Sequence, residues 1–230
     1  MLSEYETRLT WLISFEKREG KSLYDFYNEK NALSLKEARL IVAQIVLGIE
    51  YLHSKEIIHG TLSVENILIG NNCKIKIMMD STKMLFSNEC NSDLNVSKYH
   101  QSWAMRTPPE VLLKKEITKE TDFYALGIIT YELTTGQLPF NEKDIYSIHK
   151  KILKSEPLSF FKIISFHDED DFLDDDVNNS EEDVKNWEDF IYSLICLNQK
   201  KRLGVKGFDK IKQHPFLNSI NFHQLQTQEY

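Results

Sequence analysis

The chain has 230 residues, 41% hydrophobic and 27% charged, the balance of a water-soluble globular domain with enough apolar side chains to bury a real core. Its three cysteines, Cys73, Cys90 and Cys196, lie far apart with no C-x-x-C spacing, a pattern that excludes a disulfide framework and a cysteine zinc site. The net charge of -7 is a local property: residues 168–183 hold ten acidic and no basic residues, so the rest of the chain balances at +3, and with no dense basic run nucleic-acid binding is not expected. Glu4 and Glu6 stand where a signal peptide needs cations, and no run reaches the 18 apolar residues of a membrane span. These features predict an intracellular protein with reduced thiols, cytoplasmic or nuclear.

In chain order, residues 9–15 are aromatic and β-branched and predict a short strand, stopped by Glu16-Lys17-Arg18-Glu19-Gly20. A short helix follows over 22–29. Ser34 and Glu37 have the spacing of a capping box, and Ala38, Ile41, Val42, Ile45, Ile49 and Leu52 recur every three or four residues, so 35–54 is an amphipathic helix. Two apolar runs, 66–69 and 75–78, flank Gly70-Asn71-Asn72 and predict a β-hairpin. Residues 80–106 lack a period and read as a surface loop. Residues 121–135 are apolar almost all round, which marks a helix buried on every side and ended by Gly136 and Pro139. Further helices are predicted over 143–154 and around Trp187, Phe190, Ile191, Leu194 and Ile195. Between them, an insert over 167–185 carries too much like charge and too little apolar surface to fold alone; it is either a solvated loop or a surface for a basic partner.

The segment from Tyr51 to Leu68, Y-L-H-S-K-E-I-I-H-G-T-L-S-V-E-N-I-L, resembles the catalytic loop of the eukaryotic-type protein kinases, usually Y-L-H-x-x-x-I-I-H-R-D-L-K-P-E-N-I-L. The likeness continues through Pro108-Pro109-Glu110 at the A-P-E position, residues 121–127 at the S-D-V-W-S-L-G position and Thr135-Gly136-Gln137-Leu138-Pro139-Phe140 at T-G-x-x-P-F. Lys201-Arg202-Leu203-Gly204 and the run 211–216 are similar to the closing elements of AGC-type Ser/Thr kinases. The resemblance implies a mainly α fold with a small hairpin, the C-terminal lobe of a kinase with most of the N-terminal lobe lacking. Residues 1–20 then correspond to the last small-lobe strand and hinge, 21–222 to the C-lobe and 223–230 to a tail. No Gly-rich phosphate loop and no V-A-I-K lysine precede the strand.

Departures from the pattern bear on chemistry. Phosphoryl transfer rests on positioning and charge neutralisation: an Asp orients the substrate hydroxyl, an Asn and the D-F-G Asp hold magnesium, and a Lys steadies the phosphates. Here Thr61 stands at the catalytic Asp, Ser63 at the catalytic-loop Lys and Gly60 at the Arg that answers an activation-loop phosphate. A hydroxyl does not accept a proton near neutral pH, and losing a positioned base costs roughly 100-fold to 10,000-fold in rate. Met79 aligns with the metal-binding slot, and a one-residue slip would place Asp80 there. Asn66 and Asp80 are therefore the candidate magnesium and nucleotide ligands. The resemblance implies a pseudokinase without a cofactor, serving as a scaffold or allosteric module for another protein, or else a weak Mg-ATP-dependent kinase whose N-lobe lies outside this chain. It implies structural roles for His59 in the core, for Glu110 with Arg202 as a buried ion pair, and for Asp122 as a cap on the catalytic-loop backbone. The stretch around Trp11, Leu12, Ile13 and Phe15 would either pack back on the lobe or dock a partner.

Overall fold

The computed structural model describes residues 20–70, 73–79, 104–154 and 180–227. The expected strand at 9–15, Asp80, the loop over 80–103 and residues 167–179 of the acidic insert lie outside the described residues.

Helix α1 (Leu23–Asn28) begins at Ser22, whose hydroxyl accepts from the Asp25 amide at 3.0 Å. Helix α2 (Leu35–Ser54) opens with the capping box: Ser34 Oγ accepts from the Glu37 amide and Glu37 Oε2 accepts from the Ser34 amide at 3.0 Å. Its apolar positions every three or four residues, Ala38, Ile41, Val42, Ile45 and Ile49, are buried. Strands β2 (Ile67–Ile69) and β3 (Ile75–Ile77) form the antiparallel hairpin, and Gln44 of α2 binds it at both ends of its amide, donating to Cys73 O at 3.0 Å and accepting from Ile75 N at 3.2 Å. The hairpin is not alone, as the sequence had suggested. A two-residue strand β1 (Lys21–Ser22) pairs antiparallel with β2, Lys21 opposite Ile69 and Ser22 opposite Leu68, giving the order β1-β2-β3. The pairing occupies the free edge of β2.

The short helix α3 (Pro109–Leu112) precedes α4 (Lys119–Thr135), whose side chains are buried on nearly all faces from Thr121 onward. Gly136, at φ 65°, terminates it in the left-handed conformation. Helix α5 (Ile145–Lys154) starts two residues later than the periodicity suggests, because Asp144 accepts from the Ser147 amide at 2.9 Å and so caps it. Helix α6 (Glu181–Ile195) packs along α4: a Cβ at Gly127 would come within 2.9 Å of Leu194 Cβ, so the two backbones approach as closely as glycine permits. Trp187 stacks on Tyr131 with centroids 6.3 Å apart, and truncating it to Ala would cost about 3–5 kcal/mol.

The acidic insert needs correction at its end. Residues 181–185 are the first turn of α6, capped by Ser180, and Asp183 pairs with Arg39 of α2. Negative side chains are favoured there by the orphan amides and dipole of a helix N-terminus, which a count of like charges does not register. Two other expectations shift similarly. Residues 104–106, assigned to the loop, form a helical turn, and residues 223–227 of the tail belong to helix α8 (Phe222–Thr227), which follows α7 (Phe208–Lys212). Among the described residues no helix is long and apolar enough to cross a membrane.

Candidate active site

The loop from His59 to Asn66 runs from the end of α2 to β2 and hangs on one carboxylate. Asp122, in the first turn of α4 and fully buried, accepts from the His59 amide at 3.0 Å, from the Gly60 amide at 2.8 Å and from His53 Nε2 at 2.7 Å. Three donors satisfy a charge that burial alone would penalise. Gly60 turns the loop at φ 73°, a conformation that costs an L side chain about 1–2 kcal/mol.

His59 is 2% exposed and acts as a bracket. Its Nδ1 accepts from the Thr61 amide at 3.3 Å, which leaves Nε2 to donate to Met78 O at 3.0 Å, so the ring ties the loop to the segment leaving β3. Asn66 closes the loop from the other side: its Nδ2 donates to Thr61 O at 2.7 Å and its Oδ1 accepts from the Ser63 amide at 2.9 Å. Thr61 thus sits between two brackets, with its backbone engaged at both N and O. Ser63 is buried, and its hydroxyl has no hydrogen-bond partner among the described residues.

Magnesium ordinarily takes carboxylate and phosphate oxygens in octahedral geometry. The described residues offer one amide oxygen, Asn66 Oδ1, with one lone pair left after Ser63. Met79 supplies no oxygen from its side chain, and no group of three metal-ligating side chains occurs among the described residues. By themselves these residues do not make a magnesium site, and Asp80, the other candidate ligand, lies outside the described residues.

Glu110 and Arg202 are far from this loop in role but joined to it through α4. Arg202 Nη1 and Nη2 donate to the two Glu110 oxygens at 2.7 Å each, Nη1 also reaches Glu120 O at 2.9 Å, and Nε reaches Cys196 O at 3.0 Å. Thr121 adds a hydroxyl donor to Glu110 at 3.0 Å, and the guanidinium lies 5.0 Å from the Tyr124 ring centroid. Burial pushes the Glu110 carboxyl up, but the hydrogen bonds and charge of Arg202 more than offset this and hold it below the usual range.

A second buried acid escaped the sequence reading. Glu132 of α4, 2% exposed, accepts from Tyr27 of α1 at 2.8 Å and from Arg106 Nε at 3.1 Å, and Arg106 also reaches Glu65 of the loop at 3.2 Å. Burial raises the Glu132 carboxyl despite these partners. The available signal was a lone glutamate in the otherwise uncharged second half of α4, since an ionisable group buried on all sides requires a partner.

A helical body on one central buried helix, a small antiparallel sheet and a bracketed loop before β2 define the class: a protein kinase domain. The family of protein kinase domains matches residues 1–217, and the chain belongs to it. It is 32% identical over 201 residues to human 3-phosphoinositide-dependent protein kinase 1, covering 83% of this chain and 31% of that protein. It is 30% identical over 207 residues to developmentally-regulated protein kinase 1 of Dictyostelium discoideum, covering 90% of this chain and 26% of the relative. With 3-phosphoinositide-dependent protein kinase 1 of Arabidopsis thaliana it shares 28% identity over 226 residues, 94% of this chain and 42% of the relative. The AGC-like character of the closing elements agrees with these relatives. The chain spans 31%, 26% and 42% of the length of these three relatives.

Proposed function

We propose that this kinase domain is impaired in phosphoryl transfer and works by binding another protein, as an intracellular scaffold or allosteric partner in signalling. One observation carries the reading: the carboxylates at the loop are spent on structure. Asp122 is consumed by His59, Gly60 and His53, Glu65 pairs with Arg106, and the residue at the catalytic position is Thr61. A threonine hydroxyl there cannot take the proton of an acceptor hydroxyl near neutral pH. The buried Ser63 hydroxyl replaces a cation that would steady a phosphate.

A Ser/Thr kinase with weak Mg-ATP-dependent turnover is the second reading. It is favoured by the kinase relatives and by the free lone pair on Asn66 Oδ1, which a metal could share. Thermal melting with and without Mg-ATP separates the two, because a ligand stabilises only the state that binds it. The binding reading expects no shift and no phosphate incorporation into a general substrate such as myelin basic protein. A magnesium-dependent shift of several degrees that Asn66→Ala abolishes would replace it with the kinase reading.

A further inference from the structure

Helix α3 ends at Leu112, and Lys114, at φ 53°, turns the chain in the left-handed region, so residues 113–118 run as a loop over the surface to the start of α4. Two contacts hold this loop down. The Lys115 amide donates to Glu110 O at 2.8 Å, and Thr118 Oγ1 accepts from Gln199 Nε2 at 3.4 Å, which joins the loop to the turn Gln199–Lys201 beyond α6. At its far end Lys119 donates to His53 O at 3.1 Å and to Glu56 at 2.9 Å, so the end of α2 lies alongside. Ile117 packs over the Thr61 loop: a Cβ built at Gly60 would lie 3.4 Å from Ile117 Cγ2.

These links bring together four large aliphatic side chains that folding leaves between 42% and 47% exposed: Ile57, Leu113, Ile117 and Leu197. One such residue is ordinary on a surface, but four on neighbouring segments make a candidate interface centre. Their surroundings are basic. Lys114, Lys115, Lys200 and Lys201 are exposed and form no ion pair among the described residues, while the only acid of the loop is Glu116 and Glu56 is held by Lys119. An apolar centre with an unneutralised positive rim stands out in a chain of net charge -7.

We propose that this surface docks an acidic segment of another protein, one in which Asp or Glu alternates with Leu or Phe. The inference rests on the binding role of the domain and names the chemistry of the partner. Apolar side chains of such a segment cover Ile117 and its neighbours, and its carboxylates meet lysines that have no acid of their own. The centre is aliphatic and gives the bases of a nucleic acid nothing to stack on. A second copy of the chain, at the same net charge of -7, is repelled at long range. At Ile117 the surface touches Gly60, so a docked partner lies beside the candidate active site.

The test is fluorescence anisotropy of the labelled peptide Asp-Leu-Asp-Asp-Phe-Leu-Asp-Asp, titrated with the full chain. The peptide should bind with Kd on the order of 100 μM, and peptides with Lys for every Asp, or with Ser for every Leu and Phe, at least about tenfold more weakly. Rising salt should weaken binding, because the attracting charges are exposed. Lys114→Glu together with Lys115→Glu should lower the affinity at least about tenfold and move the melting temperature by less than about 2 °C, since neither side chain has an ion pair to lose. Ile117→Ser should weaken the peptide by a similar factor. No binding at about ten times the quoted concentration, equal affinity for the control peptides, or indifference to the paired lysine variant would overturn the docking surface, and that variant keeps the test decisive if Ile117→Ser fails to fold. A dimer in sedimentation equilibrium that the same variant disperses would overturn it too, by giving the surface to a second copy. These failures leave the binding role of the domain standing, whereas a magnesium-dependent ATP shift overturns that role whatever the peptide does.

Discussion

The first turn of α4 and the loop that it supports both bury polar groups, yet they differ in how fully those groups are matched. At the first turn, Asp122 and the Glu110–Arg202 pair form a framework in which every carboxylate oxygen has a donor. A few residues along the loop that this framework supports, Ser63 buries a hydroxyl without a partner among the described residues, beside Thr61. The supports of the loop are fully matched, whereas Thr61 stands where the resembled catalytic loop carries its Asp. A fold can retain the supports of a reaction after the reacting groups have been replaced, because the supports also hold the core together.

Arg202→Met should sharpen this contrast most. It leaves Glu110 buried and unpaired, costs about 3–5 kcal/mol and lowers the melting temperature by about 10 °C in a thermal scan. Next in size is Asp122→Asn, which keeps the shape but faces one amide or the His53 ring with a donor. A loss of about 2–3 kcal/mol is expected, with faster hydrogen exchange at His59 and Gly60 than in the unaltered chain.

Acid should act through the same pair. The folded-state pKa of Glu110 lies below its ordinary value of 4.5, so the stabilisation is complete above that value and is lost as pH falls below it towards the folded-state pKa. Melting temperature followed from pH 6 downward should drop through this window, and Glu110→Gln should start lower and fall less steeply. The smallest effect belongs to Ser63→Ala: with no hydrogen bond of its hydroxyl among the described residues to lose, stability should change by less than about 0.5 kcal/mol by chemical denaturation, in either direction. A loss of about 2 kcal/mol there would show that Ser63 belongs to the framework after all.

Much of the fold was legible locally. The Ser34–Glu37 spacing, the three-to-four-residue period of α2 and the two apolar runs of the hairpin each occupy a window of a few residues, and each structure element follows within one or two positions. The loop itself was readable as a resemblance over 18 consecutive residues, which places Thr61, Ser63 and Asn66 without any coordinates. What was not legible involves partners far apart in the chain. Arg39 meets Asp183, Tyr27 and Arg106 converge on Glu132, and β1 finds β2, none of which leaves a periodic or spacing signal. For α6 the acidic composition misled, because charge density argues for solvation while the helix N-terminus and Arg39 argue for folding, and only the second pair is a matter of position in space.

The sequence by itself determined the main helices and the β2–β3 hairpin, which helix lies at the centre, and that Thr61 stands where the resembled loop has its Asp, since side-chain period, caps and residue identity are properties of neighbours in the chain. Only the tertiary structure decided that Asp122 serves three donors, that Glu132 pairs with Arg106, and that His53 ties the end of α2 to the carboxylate that holds the loop. Those outcomes depend on which groups burial brings within about 3 Å of each other, and a desolvated charge takes its partner from whatever the packing presents.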